Sequence, residues 1–325
     1  MGAAVELKKG SYKLGDMAAT REAYGKALLE IGALDQDVVV LDADLSGSTQ
    51  TKHFAKAFPE RFFNMGIAEN NMIGVAAGLA RAGKKPFASS FAMFAAGRAW
   101  EFVRNSVAHN HLVVRVCATH AGLTVGEDGA SHQIIEDIAL MRAIPEMQVL
   151  VPADAQEAYQ MIYASLEFTK PTYIRLGRAK VPVIFDENYN FELGKANIVT
   201  EGIDVTVVAC GVMLCRALEA VNILKEKGIN VELINCGSIK PLDVETLSKS
   251  VSKTKKLITV EEHNVMAGMG DAIASALLEN NVSSFKLKKM GVQDKFGQSG
   301  PGDKVLDHYG LGVSDIVSEV EKINN

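Results

Sequence analysis

The residues whose types could do chemistry are concentrated in one glycine-rich segment, 119–133 (THAGLTVGEDGASHQ). Two imidazoles and two carboxylates lie in it: His120, Glu127, Asp128 and His132. Such groups, held in one loop, can move protons to and from an oxygen-rich substrate. The segment follows an apolar run, and loops after parallel strands are where α/β folds bind ligands. The alternative interpretation is a loop that caps a helix, with Ser131 as the N-cap residue.

Three further segments carry candidate side chains, each with an ordinary structural explanation. Glu69 lies where a strand-like run meets an Ala- and Gly-rich helical stretch, so its carboxylate could simply complement the helix dipole. Phe91 and Phe94 are spaced i, i+3, which is typical of core residues on a helix. The hydroxyl-rich stretch around Ser48 (DADLSGSTQT) predicts a turn after a buried strand. None of these segments predicts an activity alone.

Other motifs that would indicate an activity are incomplete or absent from the sequence. The stretch AGMGDAI at 267–273 lacks the third glycine and the downstream acidic residue of a dinucleotide-binding site. Neither a nucleotide P-loop (GxxxxGK[ST]) nor a nucleophile elbow (GxSxG) occurs. The histidines form no HExxH motif and do not cluster with cysteines, which disfavours a zinc site.

Short apolar runs and amphipathic stretches alternate along the chain, which predicts βαβ units around parallel sheets. In the first part the predicted strands cover 38–41, 61–65, 87–89, 112–118, 149–151 and 172–176. The predicted helices between them cover 20–34, 70–81, 95–108, 132–143 and 155–167. The polar and aromatic stretch 180–197 predicts a linker.

A second, smaller series follows the linker. Its predicted strands cover 205–209, 231–235, 257–260 and 285–290, and its predicted helices cover 216–227, 243–251, 270–279 and 314–324. The sequence therefore predicts an α/β fold of two domains, 1–190 and 191–325, each with a mainly parallel sheet covered by helices.

Composition narrows the class of protein. A chain of 325 residues with 48% apolar residues and a formal net charge of −5 fits two globular domains. The acidic balance disfavours a nucleic-acid partner. No apolar run approaches the roughly 18–20 residues that span a bilayer, and the first ten residues lack the apolar core of a signal peptide. Four cysteines without a CxxC pair predict a reducing, cytoplasmic environment.

Taken in order, the candidate segments resemble the C-terminal half of transketolase. The motifs that carry the resemblance are TREAYGKAL, ADLSGST, GIAEN, SFAMF and GEDGASHQ, followed by TVEEHNVMAGMGDAI. GEDGxxHQ together with GIAEN, in this order, is a specific signature of thiamine-diphosphate enzymes. The resemblance covers essentially the whole chain and implies a pyrimidine-binding domain to about residue 190, then the smaller transketolase C-terminal domain.

The resemblance implies thiamine diphosphate as the cofactor. Glu69 matches the family's activating glutamate, which as a carboxylic acid contacts the aminopyrimidine ring. Phe91 and Phe94 match the aromatic residues that receive this ring. Gly97 stands where some members of the family carry a third aromatic residue, so that wall of the pocket differs here.

Sugar phosphates are the substrates that the resemblance implies. His132 matches the acid/base histidine near the hydroxyl groups of the donor, and completes a catalytic pair with Glu69. Asp128 matches the aspartate that binds the hydroxyl next to the acceptor aldehyde. The implied contacts to the substrate phosphate are Arg21, Ser48, His120 and Arg178. The implied reaction is the transfer of a two-carbon ketol unit from a ketose phosphate to an aldose phosphate.

A partner subunit is implied by what this sequence lacks. The family holds the diphosphate and its metal through a GDG motif and a downstream Asn, and no GDG occurs in this sequence. The chain therefore resembles the C-terminal subunit of a split transketolase. Its N-terminal partner subunit would hold Mg²⁺ (or Ca²⁺), so no metal ligand is expected in this chain, and the expected assembly is an α2β2 heterotetramer.

Three alternatives remain open on the residues. Deoxyxylulose-phosphate synthase shares GxDGxxHQ but is a longer chain and usually carries Arg where this chain has His120. The β subunit of a 2-oxo-acid dehydrogenase has a GIAEQ-like motif but lacks the GEDGxxHQ loop with its paired histidines. A non-catalytic subunit with the same fold is the third alternative. The presence of Glu69, Asp128 and His132 argues against it.

Overall fold

The structure is a computed structural model that describes residues 12–325, so the expectation about a signal peptide falls outside its described part. The strands in that part are, in chain order, β1 (Met17–Ala19), β2 (Val38–Asp42), β3 (Phe62–Asn64), β4 (Lys85–Phe91), β5 (Arg115–Thr119), β6 (Gln148–Leu150), β7 (Thr172–Arg175), β8 (Lys180–Pro182), β9 (Asn197–Thr200), β10 (Val205–Ala209), β11 (Val231–Asn235), β12 (Ser238–Lys240), β13 (Lys256–Asn264) and β14 (Lys286–Val292).

Helices alternate with these strands. The α-helices of the described part are α1 (Thr20–Leu34), α2 (Ser46–Thr49), α3 (Lys52–Ala57), α4 (Glu69–Arg81), α5 (Trp100–Phe102), α6 (Asp137–Arg142), α7 (Ala155–Ala164), α8 (Met213–Glu226), α9 (Val244–Thr254), α10 (Met269–Glu279), α11 (Gly302–His308) and α12 (Val313–Asn324). Two π-helical turns, Met93–Arg98 and Val103–Ala108, flank α5. Short 3₁₀ turns cover Pro59–Arg61, Leu123–Asp128 and Ser165–Glu167.

The strands of residues 12–325 form a seven-stranded sheet, a five-stranded sheet and a two-stranded ribbon of β1 and β8. The larger sheet has the order β12-β6-β7-β5-β4-β2-β3 and is parallel except for β12. The smaller sheet has the order β14-β13-β10-β11-β9 and is parallel except for β9. This confirms the predicted fold class, whereas the boundary near residue 190 stays a prediction.

Apolar strands and capped helices explain this architecture locally. Every residue of β2 (VVVLD) is buried, as in a strand that is covered on both faces. Asp154 caps the start of helix α7, because its Oδ1 accepts the Glu157 N–H at 2.8 Å. One hydrophobic cluster contains Val149 of the larger sheet and Val208 of the smaller, so the two halves share a packed core.

The connections of the larger sheet place several candidate residues on one edge. Strands β2, β4, β5 and β7 are parallel neighbours, so their carboxyl ends meet at the same side of the sheet. The segments carrying Ser48, Phe94, His120 and Arg178 follow these four ends in turn. In an α/β sheet this edge is the usual place for a ligand.

The structure differs from the sequence-based elements at several places. The helix predicted at 132–143 begins only at Asp137, because the His132 and Gln133 N–H groups both donate to Gly129 O and form tight turns instead. The predicted linker 180–197 contains β8 and the first residue of β9. Strand β12 crosses from the second series to join the larger sheet. Among residues 12–325, no helix is both long enough and apolar enough to cross a membrane.

Candidate active site

Glu69 is the first residue of α4 and lies buried, with 2% of its surface exposed. Its Oε2 is 3.0 Å from Nη1 of Arg98, whose side chain is half exposed. The Arg98 guanidinium carbon lies 5.1 Å from the centre of the Phe94 ring, within cation–π distance. Sequence reasoning missed Arg98. Its spacing of four residues from Phe94 on a helical segment is the signal that could have found it.

Phe91 and Phe94 form a stacked aromatic pair, which is the aromatic surface of the site, and Arg98 links Phe94 to the Glu69 carboxylate. Phe91 ends β4 and Phe94 lies in the π-helical turn that follows. Their ring centres are 6.2 Å apart and their planes are inclined by only 16°. Phe91 is buried, whereas Phe94 is partly exposed. Gly97, which stands in place of a third aromatic residue, is exposed in the same turn.

Both histidines of the loop pack against this aromatic surface. The His120 ring stacks on Phe91 with the ring centres 3.9 Å apart. His132 meets Phe94 edge-on at 5.5 Å and Phe91 at 6.3 Å. The structure therefore brings together four of the predicted site residues that lie up to about forty residues apart in the chain.

His120 is neutral at physiological pH. Burial, together with the charges of Arg21, Arg178 and His132, lowers the pKa of His120 to about 3. Its Nδ1 lies 2.9 Å from Thr119 Oγ1, which fixes the ring orientation. An uncharged imidazole at this place can exchange hydrogen bonds with a substrate but adds no positive charge.

The loop between the two histidines turns tightly on glycines. Gly122, Gly126 and Gly129 all have positive φ angles, which side-chain-bearing residues adopt only with strain. The Gly122 N–H donates to Ile134 O at 3.0 Å and closes the base of the loop. Asp128, at the outer end of the 3₁₀ turn, is exposed.

Arg21 and Arg178 line a cleft of about 840 Å³ that both halves of the chain border. Arg21 donates to the backbone carbonyl of Ser48 at 2.7 Å, so Ser48 contacts Arg21 through its main chain. Arg178 Nη1 lies 2.8 Å from Glu127 Oε2 and also donates to Val125 O. Burial lowers the pKa of Arg21, opposed by Glu22 and reinforced by Arg178.

A metal ion in a protein needs three or more ligand side chains that lie close together. Within the described range 12–325, no group of three or more His, Cys, Asp or Glu residues is arranged to hold a metal ion.

Comparisons with known proteins give consistent matches along the chain. The family described as "Transketolase, pyrimidine binding domain" matches residues 16–183, and "Transketolase, C-terminal domain" matches residues 194–316. A protein of Methanocaldococcus jannaschii named as a transketolase C-terminal section is 49% identical over 302 residues, covering 92% of this chain and 94% of that protein. One subunit of the apulose-4-phosphate transketolase of Phocaeicola vulgatus is 35% identical, covering 91% of this chain and 94% of that subunit.

A solved structure is similar along the same length. It is a split-gene transketolase in an inactive β4 tetramer, with a TM-score of 0.87 and 51% identity, covering 94% of this chain and 98% of that chain. Two family matches, close relatives and this structure point to one assignment. The chain belongs to the transketolase family, which depends on thiamine diphosphate, and it corresponds to the C-terminal part of a split transketolase.

Proposed function

We propose that this chain, together with an N-terminal subunit, transfers a two-carbon ketol unit from a ketose phosphate to an aldose phosphate. The observation that carries the proposal is the packing of His120 and His132 on the Phe91 and Phe94 rings. Buried Glu69, joined to Phe94 through Arg98, borders the same surface. An aromatic surface, a buried carboxyl group and two imidazoles are what this cofactor and reaction require.

The pyrimidine end of thiamine diphosphate fits the residues around Glu69. The nearly parallel rings of Phe91 and Phe94 offer a surface for a planar heterocycle. Glu69 is buried beside it and is held by one cation, so one carboxyl oxygen remains for a ring nitrogen. When bound, thiamine diphosphate supplies the nucleophilic carbon that carries the two-carbon unit. Glu69 holds the proton at the pyrimidine ring, and Arg98 orients its carboxyl group.

Residues of the loop 119–133 contact the sugar part of the substrate in this proposal. His132, edge-on to the aromatic surface, exchanges protons with hydroxyl groups of the donor. Asp128, exposed at the outer end of the turn, accepts a hydrogen bond from the hydroxyl next to the acceptor aldehyde. His120 is neutral and therefore acts as a hydrogen-bonding partner for the substrate.

The phosphate group binds in the cleft beside Arg21 and Arg178. Both guanidinium groups line this cleft, and a doubly charged phosphate favours such fixed cations. Ser48 lies against Arg21 at the same end. Arg178 must exchange its contact with Glu127 for the substrate, because its Nη1 is engaged by that carboxylate.

The partner subunit supplies the rest of the cofactor site in this proposal. It binds the diphosphate and a Mg²⁺ (or Ca²⁺) ion, and the assembly is an α2β2 heterotetramer. The similarity to a transketolase C-terminal section along nearly its full length, and the lack of a GDG motif in this sequence, support a separate N-terminal subunit. We also infer a cytoplasmic location, because free, buried cysteines suit a reducing compartment: Cys117, Cys210, Cys215 and Cys236.

Calorimetry and a transfer assay test the proposal together. The isolated chain should show no saturable binding of thiamine diphosphate and no ketol transfer, whereas the mixture with its N-terminal subunit should show both. Tight, Mg²⁺-dependent binding by the isolated chain would contradict the shared site. A reconstituted complex that condenses pyruvate with an aldose phosphate, but transfers no ketol group, would favour a synthase; a complex without either activity would indicate a non-catalytic subunit.

A further inference from the structure

A buried carboxylate of the C-terminal domain holds the active-site loop from outside. Thr124, in the 3₁₀ turn of the loop, donates its backbone N–H and its hydroxyl to Glu262 Oε2, at 3.0 and 2.9 Å. Glu262 lies in β13 and is 138 residues away in the chain. Only 3% of its surface is exposed, so water does not compete for these hydrogen bonds.

Glu262 is fixed in turn by a buried charge network. Arg175, from β7 of the larger sheet, reaches Glu262 Oε1 at 3.4 Å and donates to its backbone carbonyl at 3.2 Å. Arg175 Nε also donates to Asp137 Oδ2 at 2.8 Å. Burial raises the pKa of Glu262, and the Arg175 charge opposes that effect. The Glu262 carboxylate, from the second half of the chain, is therefore held by two residues of the first half, Thr124 and Arg175.

The loop backbone is shaped to this carboxylate. Gly122 has φ +77°, and a Cβ atom at residue 122 would overlap the Glu262 carboxyl group. Because only glycine leaves room for such an approach, the start of the loop and Glu262 fit one another without an intervening side chain.

A second segment of the C-terminal domain holds the other end of the loop. Ser299 donates its hydroxyl to Glu127 O. Gln133 Nε2, inside the loop, lies 3.1 Å from Gln298 O and 3.0 Å from Leu123 O. Helix α11 packs against the same 3₁₀ turn. Contacts at Thr124 and at Glu127 therefore hold both ends of that turn.

We propose that Glu262 is a positioning residue for the reaction. By fixing Thr124, it sets the conformation of the loop that carries His120, Asp128 and His132, although it contacts none of their side chains in the hydrogen bonds described. This inference rests on the proposed function, because it assigns the C-terminal domain a part in that chemistry. A shift of the loop by about 1 Å would lower the rate about a hundredfold, since catalysis depends strongly on orientation.

Hydrogen exchange of the complete chain tests whether Glu262 positions the loop, and it needs no measurement of enzyme activity. Glu262→Gln and Thr124→Val should each raise amide exchange in residues 122–129 by about ten- to a hundredfold. Glu262→Gln removes the charge from both hydrogen bonds to Thr124, and Thr124→Val removes the one that the hydroxyl donates. Exchange of β5 and β10 should not change. Thr124→Ser keeps the hydroxyl and should behave as the wild type. If neither Glu262→Gln nor Thr124→Val changes exchange in the loop, Glu262 does not fix it.

Transfer kinetics of the reconstituted complex test whether the conformation of the loop affects the rate of the reaction. Thr124→Val and Glu262→Gln should each lower kcat by about ten- to a hundredfold, with rescue in Thr124→Ser. The double variant should lose no more than Glu262→Gln alone, because the hydroxyl contact that Thr124→Val removes is one of the two that Glu262→Gln weakens. Additive losses, or unchanged kcat in variants with a mobile loop, would overturn the proposal. If Glu262→Gln does not fold, the two Thr124 variants decide the question.

The two measurements separate this inference from the proposed function. An inactive wild-type complex whose loop still responds to Glu262→Gln in exchange would refute ketol transfer while keeping the structural role of Glu262. If the complex is active and its variants show unchanged amide exchange in the loop and unchanged kcat, the positioning role is refuted and the proposed function stands.

Discussion

The Arg98 guanidinium lies 3.0 Å from the carboxylate of Glu69 and also faces the ring of Phe94. One arginine thus touches both the acidic and the aromatic part of the proposed pyrimidine site. Because Glu69 is almost fully buried, its carboxyl group needs a hydrogen-bonding partner, and Arg98 is that partner. Arg98 itself is half exposed, so water screens the ion pair.

This ion pair is open to a double-mutant cycle on the isolated chain. Arg98→Met should reduce the free energy of unfolding at neutral pH by about 1 kcal/mol more in the wild-type background than in the Glu69→Gln background. Urea unfolding followed by circular dichroism measures the four free energies. Additive effects of the two substitutions would show that the contact contributes nothing to stability.

Glu69 itself should be essential for turnover but not for folding. In the reconstituted complex, Glu69→Ala should lower kcat by about 10²–10⁴-fold, because the proton partner of the pyrimidine ring is lost. Steady-state transfer assays measure this, with Glu226→Ala, an exposed carboxylate of α8, as the control. Activity of Glu69→Ala within about threefold of the wild type would show that Glu69 does not take part in the reaction and only complements the dipole of α4.

The low pKa of His120 predicts a specific pH dependence of stability. An unfolded chain takes up a proton at this residue below about pH 6.5, whereas the folded chain does so only near pH 3. Folding is therefore disfavoured progressively as the pH falls between these values. Between pH 7.5 and pH 5, His120 should account for a loss of about 2 kcal/mol in the free energy of unfolding.

His120→Gln provides the comparison, because glutamine does not titrate. Urea unfolding at pH 7.5 and pH 5 should show that the loss between these pH values is smaller in His120→Gln by about this amount. Contributions of the histidines that do not interact with His120 cancel in the comparison. Equal losses in the two proteins would mean that His120 takes up its proton in the folded state as readily as in the unfolded chain.

The order of the motifs predicts that several residues of the candidate site lie close together, because each motif is local and follows a parallel strand. The sheet then brings Phe94, His120 and Arg178 to one edge by its connections alone. Arg98 and Glu262 were missed for a different reason. Their partners lie 29 and 138 residues away, and no local pattern shows a contact over such distances. The tight turns that end at His132 and Gln133 depend on hydrogen bonds to Gly129 O, which a helical pattern of apolar residues does not show.

Glu127 should weaken the binding of phosphorylated substrates. Its own backbone N–H and Arg178 lower the pKa of Glu127, so its carboxylate is charged at neutral pH and occupies the guanidinium that a phosphate needs. Glu127→Gln removes this competition and should lower KM for a ketose phosphate by up to about fivefold, the range of an exposed ion pair. KM for hydroxypyruvate, which has no phosphate, is the internal control. A rise in KM for the ketose phosphate would show that Glu127 helps to hold Arg178 in place.

Arg178→Ala should act in the opposite direction and more strongly. Loss of one charge-assisted contact is worth roughly 1.5–3 kcal/mol, so KM for phosphorylated sugars should rise about ten- to a hundredfold. Turnover of hydroxypyruvate should change little, because this substrate has no phosphate group for Arg178 to bind.

Because remote binding energy also orients the reacting carbonyl, part of the loss in Arg178→Ala can fall on kcat. The informative quantity is therefore the ratio of kcat/KM for a pentose phosphate to kcat/KM for hydroxypyruvate, measured in the same complex. Arg178→Ala should lower this ratio, and Glu127→Gln should raise it. If Arg178→Ala depresses both substrates equally, its contacts to Val125 O and Glu127 serve only to hold the loop, and the phosphate binds elsewhere.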